Sequence, residues 1–146
     1  CVWISWLILY YLLNVPIYFK SNRDRGGYIR NVVVDSITVE RAKGAILRFE
    51  TNYFGFRGGN HQALYEDFHI SNVSAGTTDN YAIFMDGNEE YKIRNINIDN
   101  FHVKEAQYPY YLMNTECINF TQSSVNGKNI PESPKESPQK ISLDVY

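Results

Sequence analysis

The sequence predicts an all-β protein built as a parallel β-helix of about four coils. Three observations support this fold class. An eight-residue strand pattern recurs along the chain, a second short apolar strand follows most copies of it, and no stretch shows the period of a helix. In every copy the third and fifth residues are apolar, which is typical of a strand with one buried face. The copies are residues 30–37, 66–73, 94–101 and 116–123.

The seventh position of every copy is polar, and its occupants are Ser36, Asn72, Asn100 and Gln122. Inward asparagine side chains at equivalent turns can hydrogen-bond up and down a stack of coils. We therefore expect Asn72, which also begins an Asn-Val-Ser sequon, to be buried rather than glycosylated. The copies begin at 30, 66, 94 and 116, and the uneven spacing is accommodated by loops between strands.

Second apolar strands are predicted at residues 45–49, 81–85 and 110–113. One coil cannot bury its inner face alone, so two strands per coil favour a stack. An antiparallel β-sandwich also has short alternating strands and remains the alternative. Hairpin dipeptides occur only late, at Asp86-Gly87 and Asn126-Gly127, which favours the β-helix.

The two ends of the chain differ from residues 16–128, which hold the coils. Residues 1–15 form an atypical apolar segment, too short for a membrane span and without the basic start of a signal peptide. A buried strand pair and a truncated N-terminus are the remaining explanations, and we expect no membrane partner. Residues 129–146 are a polar tail rich in proline, predicted to be extended and solvated.

Composition excludes several classes of protein. The chain is 44% hydrophobic and 21% charged, which excludes general disorder, and its net charge of −2 argues against a nucleic-acid partner. Cys1 and Cys117 cannot form a disulfide framework or a zinc cage. The histidines His61, His69 and His102 lack ligand spacing, so we expect no metal and no cofactor.

A basic loop precedes the first copy of the repeat. Residues 20–30 carry four basic side chains against Asp24, a local balance of +3. The basic residues are Lys20, Arg23, Arg25 and Arg30. Arginine pairs with carboxylates in bidentate fashion, so the loop suits a polyanionic sugar. A solvated turn with internal salt bridges is the alternative.

The block FKSNRDRGGYIRN at residues 19–31, followed by alternating strands, resembles polygalacturonases of glycoside hydrolase family 28. The resemblance runs from about Phe19 to Gly127. It implies a right-handed parallel β-helix, a galacturonan (pectin) partner and a secreted or periplasmic parent protein. Lys20 matches the lysine of the family's Arg-Ile-Lys element, which binds a substrate carboxylate, whereas the arginine of that element would fall at Tyr18. Tyr53 matches a substrate-site tyrosine at a coil end.

The family's catalytic aspartates lie in Asn-Thr-Asp and Asp-Asp elements ahead of that lysine. None of the 19 residues before Lys20 is Asp, Glu or His. The resemblance therefore implies the C-terminal part of a hydrolase, cut off upstream of its catalytic residues. This part would contribute substrate binding through Lys20, Tyr53, Arg23 and Arg25. A non-catalytic carbohydrate-binding or adhesin-like β-helix, and a pectate lyase with bound calcium, are the alternatives.

Overall fold

The computed structural model describes residues 2–9, 13–53 and 57–137, and of residues 2–9 it describes the backbone alone. The described residues form an all-β structure without a helix, which confirms the predicted class. The nine strands are β1 (Val2–Leu9), β2 (Ile17–Lys20), β3 (Gly27–Ala42), β4 (Ala45–Glu50), β5 (Ala63–Asp86), β6 (Ile93–Met113), β7 (Thr115–Thr121), β8 (Ser124–Val125) and β9 (Lys128–Asn129).

The strands pair almost entirely in parallel, in two ladders. The first ladder runs from β1 through β3 and the beginnings of β5 and β6 to β7. The second runs from β2 through β4 to the ends of β5 and β6. Among the described strands only β8 and β9 pair antiparallel. The antiparallel sandwich is therefore excluded.

The four sequence copies lie in register, as the alternation predicts. Val32 is opposite Phe68, Phe68 is opposite Ile96, and Ile96 is opposite Ile118. All four of these side chains are buried, because alternate residues of a strand point to one face and this face meets the core. The same register places Ile98 between Ile70 and Phe120, and these three residues are also buried.

Two positions of each copy have a left-handed backbone. The second position is left-handed at Asn31, Asp67, Asn95 and Cys117. The seventh position is left-handed at Ser36, Asn72, Asn100 and Gln122, with φ between 46° and 58°. Asparagine tolerates this conformation better than most residues because its short side chain can hydrogen-bond locally. The polar residues of the repeat thus mark bends of the backbone.

The prediction that Asn72 is buried is wrong. Its side chain is exposed, because the left-handed bend at this position interrupts the alternation that would have turned it inward. Hydrogen bonds along the stack do form at this position, but on the outer surface, and one of them joins the equivalent residues Asn72 and Asn100. The Nδ2 of Asn72 donates to Oδ1 of Asp35 at 2.7 Å, and Asn100 Nδ2 donates to Asn72 Oδ1 at 2.7 Å.

The apolar N-terminal segment contributes one strand, β1, which runs parallel to β3 with Val2 opposite Val32 and Leu9 opposite Val39. Cys1 and residues 10–12 lie outside the described residues. Across the described part of the chain, no helix has the length and apolar character that crossing a membrane requires.

The first part of the tail is more closely packed than its composition predicts. Ile130 is buried, the amide of Phe120 donates to the carbonyl of Glu132 at 2.8 Å, and the amide of Ser137 donates to the carbonyl of Leu112 at 2.8 Å. These bonds satisfy backbone groups at the edge formed by β6 and β7. Residues 138–146 lie outside the described residues.

Candidate functional site

Lys20 is placed by the alternation of β2. Ile17 is buried, and Phe19 packs on Phe49 with ring centres 4.9 Å apart. Because successive strand residues point to opposite faces, Tyr18 and Lys20 lie on the outer face of the second ladder. Lys20 ends the strand opposite Glu50, and its side chain is exposed.

Tyr53 is brought to Lys20 by backbone hydrogen bonds just past the strand ends. The amide of Ser21 donates to the carbonyl of Glu50 at 3.0 Å, and the amide of Tyr53 donates to the carbonyl of Ser21 at 2.8 Å. The ammonium of Lys20 lies 4.1 Å from the centre of the Tyr53 ring and 5.3 Å from that of Tyr18. This is cation–π distance, so the two residues that match the family's substrate site are in direct contact.

An open cleft of about 440 Å³ lies beside this pair. Its lining residues are Lys20, Ser21, Asn22, Asp24, Arg25, Tyr53 and Arg57. Of the predicted site residues, the cleft therefore brings together Lys20, Tyr53 and Arg25. Arg23 does not line it: the backbone carbonyl of Arg23 accepts from the amide of His61 at 2.9 Å, and its Nε is buried without a hydrogen-bond partner.

Asp24 joins the two loops that form the cleft. Its Oδ2 accepts the amide of Arg57 at 2.7 Å, and its Oδ1 accepts the amide of Gly59 at 2.9 Å. Residue 59 must be small, because an added Cβ would lie 2.6 Å from the carbonyl oxygen of Arg23. The amide of Asp24 in turn donates to the side chain of Asn22 at 3.1 Å. The carboxylate is thus a fixed structural acceptor.

Arg57 is the one cation among the described cleft residues that was not predicted from the sequence. A signal was available, because Arg57-Gly58-Gly59 repeats the Arg25-Gly26-Gly27 order of the basic loop. What the sequence does not show is the bond that joins the two loops, since Asp24 and Arg57 are 33 residues apart.

The cleft is cationic. Lys20, Arg25 and Arg57 line it against Asp24 alone, a local balance of three minus one, or +2, in a protein whose net charge is −2. None of the three takes part in an ion pair among the described residues. The ion pairs found there are Arg41–Asp79, Arg48–Glu50 and Arg94–Glu66. The cleft therefore offers three cations to an anionic ligand.

Tyr18, which stands where the resembled family has arginine, is engaged with its neighbours. Its hydroxyl donates to Oε2 of Glu50, and Nη2 of Arg48 lies 3.2 Å from the same oxygen. Burial, reinforced by Glu50, raises the pKa of Tyr18 well above its usual value. The phenol of Tyr18 therefore stays neutral, and the positive charge that an arginine would bring to this position is missing. The guanidinium carbon of Arg48 lies 4.6 Å from the centre of the Phe84 ring, and this packing keeps the charge of Arg48 beside Glu50.

No group of His, Cys, Asp and Glu within residues 2–9, 13–53 and 57–137 is arranged to hold a metal ion. A scan against protein-family models and a search of curated proteins each return no match to this chain.

Proposed function

We propose that this chain binds galacturonan, the polyanionic backbone of pectin, in the cleft at Lys20 and Tyr53. The observation that carries the proposal is the pair itself: an exposed ammonium 4.1 Å from a tyrosine ring, in a cleft whose three cations lack ion-pair partners among the described residues. The resembled polygalacturonases have a lysine that binds a substrate carboxylate and a substrate-site tyrosine, and Lys20 and Tyr53 match these two residues.

The fold supports the same proposal. β5 and β6 each contribute first to one parallel ladder and then to the other, so the chain alternates between ladders as it advances along the stack. We propose that it is wound as a right-handed parallel β-helix, the architecture of the resembled family. The second ladder then ends at the same level on successive coils, because Lys20 is opposite Glu50 and Glu50 is opposite Asp86.

The chemistry of a uronate fits this cleft. Every galacturonate residue carries one carboxylate, which an ammonium or guanidinium can bind by a charge-assisted hydrogen bond. Such a bond contributes about 1.5–3 kcal/mol. Tyr53 is 36% exposed, and its ring offers an apolar face beside that charge. Binding through few exposed groups is weak and is reduced by salt.

Binding without hydrolysis is the activity that we propose for the chain. Hydrolysis with inversion needs two carboxyl groups about 6.5–9.5 Å apart on opposite sides of the bond. The only carboxylate lining the described cleft is Asp24, whose two oxygens accept backbone amides. In the resembled family the catalytic aspartates lie outside the lysine element, and the described cleft supplies no second carboxylate to pair with Asp24. The resemblance further suggests a parent protein that acts outside the cytoplasm on cell-wall pectin.

Two assays on the purified chain test the proposal. We expect oligogalacturonate to bind, and polygalacturonate incubated with the chain to release no more reducing sugar than with a heat-killed sample. Release that disappears when a carboxylate of this chain is replaced would contradict the non-catalytic assignment. Absence of any binding would contradict the proposed function itself.

A further inference from the structure

The loop that carries Arg57 is held against the basic loop by the side chain of Asp24 and by the amide of His61, which donates to the carbonyl of Arg23 at 2.9 Å. Both oxygens of Asp24 are used for this attachment, on the amides of Arg57 and Gly59 at 2.7 and 2.9 Å. The basic loop is itself fixed, because the amides of Arg25 and Gly26 donate to the carbonyl of Asn22 at 3.2 and 3.0 Å. Arg57 is thus set against a rigid neighbour on the same cleft as Lys20.

The resulting arrangement places two exposed guanidinium groups at one cleft. Arg25 and Arg57 are both exposed, line one cleft, and form no ion pair among the described residues. An anion that enters the cleft therefore meets cations that are free to pair with it. A planar guanidinium can bind a carboxylate through two parallel hydrogen bonds, which a lysine cannot do.

We infer that Arg57, with Arg25, forms a second carboxylate-binding position beside Lys20, and that Asp24 positions Arg57 for it. This inference rests on the proposed function and specifies its ligand: an oligomer with uronate carboxylates on successive residues, in preference to a single sugar acid. The size of the cleft is compatible with a short oligomer, since about 440 Å³ falls within the range of about 300–1,000 Å³ typical of pockets for drug-sized ligands.

The test measures binding of trigalacturonate and monogalacturonate to purified variants of the whole chain by calorimetry. Wild type should bind the trimer at least tenfold more tightly than the monomer. Arg57→Gln should lose about tenfold or more in trimer affinity, because it removes one charge-assisted bond. It should also lower the salt dependence and leave monomer affinity nearly unchanged. Arg30→Gln is the matched control, since Arg30 is also exposed but lies over the Tyr28 ring outside the cleft.

The positioning role of Asp24 has its own readout. Asp24→Ala should reduce trimer affinity as Arg57→Gln does, whereas Asp24→Asn, which keeps one acceptor oxygen, should retain part of it. In the Arg57→Gln background Asp24→Ala should cause no further loss, because the carboxylate acts through Arg57. Additive losses would contradict positioning. Since Arg57 is exposed, Arg57→Gln should keep the fold even if an Asp24 variant does not, and thermal unfolding checks this.

The outcomes separate the inference from the proposed function. If Lys20→Ala weakens trimer binding but Arg57→Gln does not, the second position is refuted and the Lys20 site stands. If wild type binds neither sugar, or Lys20→Ala binds as well as wild type, the proposed function fails and the inference fails with it.

Discussion

The ammonium of Lys20 lies over the ring of Tyr53, 4.1 Å from its centre, although 32 residues lie between them in the chain. The contact arises because β2 and β4 pair in parallel, so the residues that follow their ends meet at one edge of the ladder. The amide of Tyr53 then donates to the carbonyl of Ser21, which fixes the ring beside the lysine. The site is thus a direct product of strand register.

The stacked core predicts a large loss of stability on truncation of Ile98. This residue is 1% exposed and packs in register between Ile70 and Phe120. Ile98→Ala should lower the free energy of unfolding by about 2–5 kcal/mol, since it removes buried methyl groups and leaves a cavity. Urea unfolding measures it. Lys104→Ala, an exposed change on the same strand, should stay within about 0.5 kcal/mol. Equal effects of the two changes would contradict the described core.

The left-handed positions predict a stabilising substitution. Cys117 is exposed and has φ of 53°, whereas the equivalent positions hold Asn31, Asp67 and Asn95. Cys117→Asn should raise the free energy of unfolding by about 0.5–2 kcal/mol, the usual gain from a substitution that suits the backbone.

The control for that change is Cys117→Val, which should destabilise because a β-branched side chain is strained at positive φ. Both effects are read from chemical unfolding under reducing conditions. If the valine variant is as stable as the asparagine variant, the left-handed assignment at this position is wrong.

Asp35 predicts a pH dependence of stability. Hydrogen bonds donated by Ser71, Asn72 and Ser36 hold the pKa of Asp35 below its usual value of 3.8. Because the folded pKa lies below the unfolded one, the carboxylate stabilises the fold fully above about pH 4 and loses this effect as the pH falls through the folded pKa.

The measurement compares wild type with Asp35→Asn by urea unfolding between about pH 5 and pH 2.5, a range that spans the usual aspartate pKa. We expect the stability advantage of wild type over the variant to shrink steadily as the pH falls. A constant or growing advantage would show that the three donors do not favour the charged form. Asp79→Asn is the matched control, and its stability difference from wild type reports a solvent-exposed ion pair instead.

Much of the fold could be predicted from alternation alone. The third and fifth positions of the copies, such as Ile96 and Ile98, are buried and in register because a two-residue period specifies one face of a strand. The direction of Asn72 could not be predicted this way, since its left-handed backbone breaks the period. The structure of the N-terminal segment could not be predicted from its composition either, because an apolar composition does not specify which strand the segment pairs with.

The candidate site was predicted only in part, because strand register places some of its residues and contacts between loops place the others. Lys20 and Tyr53 were found through the resemblance, and the parallel register brings them together. Arg57 is brought to the same cleft by contacts between distant loops, above all the bond from its amide to Asp24, and no local sequence pattern encodes them. Arg23 was included for its charge, but the bend of the loop directs its carbonyl to His61 and leaves it out of the cleft lining.

Titration of oligogalacturonate into wild type and Lys20→Ala tests the central proposal most directly. A neutral oligosaccharide of equal length is the ligand control, and Lys104→Ala, which removes an exposed charge elsewhere, is the protein control. We expect weak binding to wild type that decreases with salt, about tenfold or greater loss in Lys20→Ala, and no loss in Lys104→Ala. Equal binding by wild type and Lys20→Ala, or equal affinity for the neutral sugar, would contradict a uronate-binding role for the cleft.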